Sequence, residues 1–406
     1  MDLTPLRRHR DYRFLYAAQF VSFLGTMVTY VALPYQMYTL TRSSLAVGLL
    51  GIAELVPLLL TAFIGGALAD SADRRKMVIA TEIGLGACSC LLLLNASLDR
   101  PMVWVLFVVS GLMSGLNGFQ RPSLDSLTPR LVDADEIPAA AGLSTFRGSV
   151  GMIAGPALGG VLISAAGLPF TYGVDVLSYA CSLLCFRMIR SVPPPESAAR
   201  PGLRSILEGF RYARSRQELL GSYIVDFVAM VFGMPLALFP ALSELLGGVK
   251  IVGALYAAPS VGALLASFAA RWLHRVQRHG LGILVAASAW GIAIIGFGFS
   301  RQLIPALIFL ALAGGADAVS GIFRMTLWNQ TIPDSLRGRL AGIEMVSYMS
   351  GPLLGHAEAG LIAAMFSVKT SVISGGVLCV AGVLLCGLLL PRFIRYDART
   401  FAVARP

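Results

Sequence analysis

About twelve long apolar runs separated by short polar breaks fill nearly all of this 406-residue chain, and no other feature limits its folding as severely. A helix needs roughly 20 apolar residues to cross a bilayer. Backbone N–H and C=O groups inside hydrocarbon must also find their partners within the segment. The runs therefore predict an all-α membrane protein of twelve transmembrane helices, at about 14–38, 45–69, 77–97, 101–121, 140–166, 169–190, 217–242, 250–272, 280–300, 303–324, 340–365 and 370–392. Only 13% of residues are charged and 56% are hydrophobic, where a soluble domain carries roughly 25% charged. No length remains for a soluble domain. The basic start before the first run resembles a secretory leader, but no small-residue cleavage site closes a short apolar core, so that run is read as the first span.

The net charge of +10 is spread over the breaks between runs rather than over one face, which argues against nucleic acid as a partner. One set of alternate breaks holds Arg7, Arg8, Arg10 and Arg13, then Arg74, Arg75 and Lys76, and most of the later arginines. The other holds only Arg42, Arg100, Lys250, Arg301 and Lys369. The positive-inside rule puts the first set in the cytoplasm, with both termini; a plasma membrane is the expected location. The six cysteines all lie within apolar runs and are read as small hydrophobes rather than a disulfide framework.

The longest polar break is central and begins with Pro193, Pro194 and Pro195; its stretch from Leu203 to Arg216 suits a short amphipathic helix on the membrane surface. It separates an N-terminal six-helix half, 1–192, from a C-terminal half, 217–406, with 193–216 as the linker. A repeat supports the division. Gly118 and Arg121 recur as Gly321 and Arg324 at an offset of 203 residues, Thr128 recurs as Thr331, and AGPALGG near Gly155 has a counterpart in SGPLLGH near Gly351. Two six-helix halves with a solute path between them are expected.

The break after the second run reads GGALADSADRRK, residues 65–76. Small residues allow helices to cross closely, and Asp70 and Arg74 add a carboxylate and a cation at the membrane surface; the plainer reading is a basic loop that only fixes topology. In the fifth run, Gly151, Gly155, Gly159 and Gly160 surround Pro156. Glycines four apart form a groove for a neighbouring helix, and the proline removes a backbone hydrogen bond. The groove serves either a moving interface or static packing.

These two motifs resemble signatures of the major facilitator superfamily, within it the drug and siderophore exporters of twelve spans. Gly66, Asp70 and Arg74 match the loop signature, although Asp73 stands where a glycine is usual and Ser71 where a basic residue is frequent. Gly151, Gly155, Pro156, Gly159 and Gly160 match the antiporter signature. FLGTMVTYVALPYQMYTLTRSSLAVGL and LRSILEGFRY are similar to stretches of the enterobactin-exporter and macrolide-efflux branch. The fourth run lacks the arginine that some proton antiporters carry midway. The resemblance implies a pseudo-symmetric fold and export of a small molecule by proton antiport with alternating access, a monomer among lipids, and residence in the bacterial inner membrane.

Ionisable groups at mid-membrane are functional candidates unless they pair or reach the headgroups. Glu54, Arg147, Asp175, Asp226, Asp317 and Glu344 lie within or near apolar runs, whereas Glu82, Arg121 and Arg324 sit close enough to the cytoplasmic ends to reach them. The family resemblance puts the first, fourth, seventh and tenth spans around the cavity. That favours Asp226 and Asp317, followed by Glu54, as proton-coupling groups, with structural hydrogen bonding as the rival role. Arg147 and Glu344 occupy nearly equivalent repeat positions and, with Arg121 and Arg324, are candidate gate charges. Tyr30, Tyr35, Phe227 and Phe232 are candidates to line a substrate cavity, or ordinary packing residues.

No GxxxxGK[ST] loop occurs, which argues against direct use of ATP. No nucleophile and base set suggests an enzyme. His356 and Glu358 do not define a metal site, so no metal or cofactor is expected. The alternatives kept open are a proton-coupled importer of a nutrient or lipid and a transporter-like sensor.

Overall fold

The computed structural model describes residues 2–69, 73–190, 211–212, 214–268, 273, 275–333 and 337–399, and of residues 62–69, 337–339 and 341–347 it describes only the backbone. Among the described residues the chain is helical, with no strand. The helices are α1 (Thr4–Arg8), α2 (Arg10–Thr41), α3 (Ser44–Ala69), α4 (Arg74–Ala96), α5 (Val103–Leu131), α6 (Ile137–Met188), α7 (Gln217–Phe232), α8 (Phe239–Leu246), α9 (Val252–Phe268), α10 (His279–Phe299), α11 (Leu303–Thr331), α12 (Arg337–Met365), α13 (Val368–Leu389) and α14 (Pro391–Ile394). Ten helical stretches among the described residues are long and apolar enough to cross a membrane.

By packing, the chain divides into two compact units. Unit 1 holds Met1–Arg42, Ile52–Arg200 and Gly248–Ala257; unit 2 holds Ser43–Gly51, Pro201–Gly247 and Ala258–Pro406. The two short inserted segments begin at Ser43 and Gly248, close to one repeat offset apart.

In unit 1, α2 lies along α6, and α4 packs on both α5 and α6. A straight helix of the 52 residues in α6 would be about 78 Å long, far more than the roughly 30 Å of bilayer hydrocarbon. Gly167 solves this with φ 78°, ψ 174°, a conformation open only to a residue without a side chain. Beyond it the chain reverses: Ala140 and Leu143 from the start of α6 and Phe186 from its end meet in one buried cluster with Tyr12, Leu15 and Val78. The two expected spans 140–166 and 169–190 thus form one helix broken at a glycine.

In unit 2, α10 packs on α11 and α13, and α7 packs on α12 and α13. The expected span 217–242 is interrupted. Pro235 has no amide hydrogen and disfavours helix in the residue before it, so α7 stops at Phe232 and a new helix, α8, starts at Phe239. Trp290 Nε1 donates to the Gly233 carbonyl at 2.8 Å, taking up an acceptor that the helix end leaves free. At the other extreme, α5 and α11 run to Leu131 and Thr331, beyond the expected 121 and 324. Pro122 and Pro129 are accommodated inside α5.

Candidate functional site

The sharpest concentration of charge lies in unit 2, where α7 and α11 meet. Asp317 and Arg324 are seven residues apart on α11, two turns along one face. Asp226 faces them from α7. Arg324 Nη1 is ion-paired with Asp226 Oδ1, and Arg324 Nη2 lies 3.4 Å from Asp317 Oδ1. The guanidinium is thereby shared between the two favoured coupling candidates. Four residues on along α11, Trp328 Nε1 donates to Ser222 Oγ at 2.9 Å, and Ser222 is four residues before Asp226 on α7. Tyr223 stacks on Trp328 with ring centroids 5.2 Å apart. The two contacts run in opposite directions along the two helices, so α7 and α11 are joined like an antiparallel zipper with one ionic and one neutral tooth.

This corrects one sequence expectation. Arg324 does not reach for headgroups: only 9% of it is exposed, because two carboxylates stand within reach inside the protein. Glu82 is corrected in the same way. It is buried in unit 1 and accepts from Gln120 Nε2 and Ser182 Oγ, each at 3.0 Å, which satisfies it without snorkelling.

Unit 1 carries a second buried carboxylate with a different environment. Asp175 of α6 is completely buried. Its Oδ2 accepts from Thr29 Oγ1 of α2 at 2.6 Å and from Ser89 Oγ of α4 at 2.7 Å; Ser178 Oγ is 3.3 Å from Oδ1. One side chain thus ties three helices. Tyr172 donates to Gln36 at 2.8 Å one turn away, and Thr26 bonds the Tyr179 hydroxyl at 3.0 Å.

The glycine signature of α6 faces α2. A side chain on Gly151 would strike Phe23 and one on Gly155 would strike Met27; a Cβ on Gly159 would lie 3.2 Å from the Val28 carbonyl oxygen. Gly160 meets Gly253, with 2.6 Å between an added Cβ and the Gly253 amide nitrogen. Pro156 is buried beside the same contact. The motif is therefore a close-packing groove filled by α2 and by the start of α9.

In the loop motif, Asp70 lies outside the described residues and Gly66 is described only as part of the α3 backbone. Arg74 is buried, with Nη1 3.4 Å from the Ser126 carbonyl oxygen. Asp73, a departure from the family pattern, caps α4: its Oδ1 accepts from the Arg75 and Lys76 amides at 3.0 and 3.3 Å. An aspartate just before a helical run is a readable N-cap signal. Arg75 in turn donates to the Phe186 and Arg187 carbonyls at 3.2 and 2.9 Å, closing the end of α6.

Of the remaining candidates, Arg147 lies within electrostatic reach of Tyr12, Tyr16 and Asp125, and Asp125 also faces Arg121. Asp125 lies within electrostatic reach of both unit 1 gate candidates; in the sequence, Arg121 and Arg130 on either side of it hide it in a basic stretch. The side chain of Glu344 lies outside the described residues. Glu54 is in unit 1, where its backbone carbonyl accepts from Ser114 Oγ at 2.9 Å. Tyr30 packs edge-on against Tyr256 at 5.5 Å. Tyr35 also belongs to unit 1, whereas Phe227 and Phe232 belong to unit 2. His9, Asp133 and Glu136 form a further cluster, with His9 Nε2 2.8 Å from Glu136 and 3.8 Å from Asp133; Arg8 bonds Glu136 at 3.3 Å, so the group knits the N-terminal segment to the turn before α6.

Known proteins share both sequence and shape with the chain. Residues 1–401 match the model of a family described as transmembrane secretion effectors. The enterobactin exporter EntS of Citrobacter koseri is 29% identical over 403 residues, covering 96% of this chain and 94% of that protein. The enterobactin exporter of Shigella boydii is 28% identical over 399 residues, covering 96% and 93%. Among solved structures, the nucleoside transporter NupG superposes with a TM-score of 0.75 at 12% identity, covering 94% of this chain and all of that one. A POT family transporter in complex with 5-aminolevulinic acid gives 0.72 at 10% identity, covering 95% and 97%.

Proposed function

The chain belongs to the transmembrane secretion effector family, and from that we propose that this multi-pass membrane transporter exports a small siderophore-like or drug-like molecule by proton antiport. The observation that carries the coupling mechanism is Arg324 shared between Asp226 and Asp317. A proton arriving on Asp226 removes the charge that holds Nη1, and the guanidinium then retains only Asp317. Loss of the proton restores the first pair. Proton binding thereby changes the bond between α7 and α11, which is what alternating access requires of a coupling site.

Export of an enterobactin-like catecholate is supported by the two exporters that align over almost the full length. Twelve spans follow in this reading if the Gly167 break divides α6 into two crossings and α12, 29 residues long, supplies another. Both termini then lie in the cytoplasm, a placement that the arginine distribution supports, and the halves in this reading are 1–192 and 217–406 around the 193–216 linker. A monomer in the bacterial inner membrane suffices for this mechanism.

The test is uptake of labelled enterobactin into inside-out vesicles bearing the protein, with the interior acidified. Accumulation that collapses on adding an uncoupler is expected. Accumulation indifferent to the uncoupler would exclude proton coupling, and catecholate uptake only into right-side-out vesicles would make the protein an importer.

A further inference from the structure

On unit 2, α9, α10 and α11 leave between them a groove of about 950 Å³. Its walls are apolar: Leu265 from α9, Val285 and Ala289 from α10, and Ile308, Leu312 and Val319 from α11 are representative. Gly262, Gly282 and Gly315 border it, and because a side chain on Gly262 would strike the Ala311 carbonyl and one on Gly282 the Phe323 ring, they let the three helices close together beneath the trough. From Ile308 to Phe323 its floor follows α11 for about 22 Å, somewhat more than the roughly 15 Å of hydrocarbon in one leaflet.

One end of the groove is unlike the rest. At the start of α10 it is bordered by Arg278, Gln277 and Arg399. Arg278 is exposed and makes no ion pair among the described residues. Arg399 is 76% exposed and lies 3.7 Å from Asp397, so part of its charge is already answered and Arg278 carries most of the field at the mouth. Arg278 also precedes the first turn of α10, whose free amides carry the positive end of the helix dipole. A leaflet-length apolar trough ending in cations at its polar mouth has the chemistry of a single kind of occupant.

We infer that this groove binds an anionic phospholipid, with an acyl chain along α11 and the phosphate at Arg278 and Arg399. The headgroup charge answers the arginines, and the chain takes the apolar wall out of contact with less ordered lipid. Specificity comes from the mouth, because the apolar walls accept the chain of any phospholipid equally.

Native mass spectrometry of the purified full chain, equilibrated with equal phosphatidylglycerol and phosphatidylcholine, tests this directly. One retained phosphatidylglycerol per chain is expected, in clear preference to phosphatidylcholine. Arg278→Gln and Arg399→Gln should each lower that preference roughly fivefold, with the larger effect at Arg278. Val285→Trp, which fills the trough, should reduce retention of both lipids, and a thermal-unfolding profile like that of the unaltered protein would show that it still folds. Equal retention of the two lipids by the unaltered protein would overturn the inference. So would a preference that both arginine substitutions leave intact, or displacement of the lipid by enterobactin, which would make the groove a route for cargo.

Discussion

Asp175 of unit 1 is held by hydroxyl groups, whereas Asp226 and Asp317 of unit 2 are held by a guanidinium. Asp175 accepts from Thr29, Ser89 and Ser178, all neutral donors on helices that pack around it. Asp226 and Asp317 share Arg324. The distinction decides what each site can do. Hydroxyl donors bond a carboxylate or a neutral acceptor of the same shape, so the Asp175 cluster is a staple whose strength depends on geometry. An ion pair depends on charge, and a single proton is enough to dissolve it. The Asp175 cluster fixes three helices together, and in the proposed mechanism the Arg324 cluster is the one that switches.

Replacing Arg324 is the strongest way to break this contrast. Arg324→Leu leaves buried Asp226 and partly exposed Asp317 without their cation, and breaking a buried pair such as Arg324–Asp226 costs about 3–5 kcal/mol. The purified protein should unfold at a clearly lower temperature, and uncoupler-sensitive efflux should vanish. In the double variant Arg324→Leu with Asp226→Leu most of the stability should return while transport stays lost, because apolar replacements of a whole buried pair are often neutral. If the single variant were as stable as the unaltered protein, the ionic character of the unit 2 cluster would contribute nothing to the fold.

Asp175→Ala strands the hydroxyls of Thr29 and Ser89, and unsatisfied buried donors cost about 1–3 kcal/mol. Asp175→Asn retains an acceptor oxygen in the same place and should cost less in thermal unfolding. Proton-driven efflux should survive the asparagine. Loss of coupling in Asp175→Asn with unchanged stability would show that both clusters switch, and the division of roles would fall.

The sequence already carries the all-helical membrane class, because runs of apolar residues admit no other backbone solution in lipid, and it carries the repeat, because Gly118, Arg121 and Thr128 recur as Gly321, Arg324 and Thr331. It also contains the breaks at Gly167 and Pro235, although their consequences differ: one reverses a helix and the other ends one. Side-chain partners were less legible. Arg324 is near the end of an apolar run, and from hydropathy alone it is indistinguishable from an arginine that snorkels; only the facing of α7 against α11 brings Asp226 to it. Glu82 and Asp175 are likewise ordinary in sequence, since apart from Ser178 their partners lie 38 to 146 residues away. Asp73 is legible as an N-cap from its position just before a helical run, a signal independent of the glycine that the family pattern has there.

The smallest effect belongs to the neutral tooth of the unit 2 zipper. Ser222→Ala removes the acceptor of the Trp328 indole N–H, one turn from the ionic tooth. A buried donor left without its acceptor costs about 1–3 kcal/mol, and here one N–H is stranded where Asp175→Ala strands two hydroxyls, so the unfolding temperature should fall less than for that change or for the arginine change. Tyr223 remains stacked on Trp328 in this variant and keeps the indole in place. Transport should then persist with its uncoupler sensitivity intact, since the charge exchange proposed at Asp226 does not pass through the serine. A variant in which efflux continues but no longer responds to the uncoupler would mean that the two teeth act as one unit, and that Trp328 transmits the state of Arg324 along the α7–α11 seam.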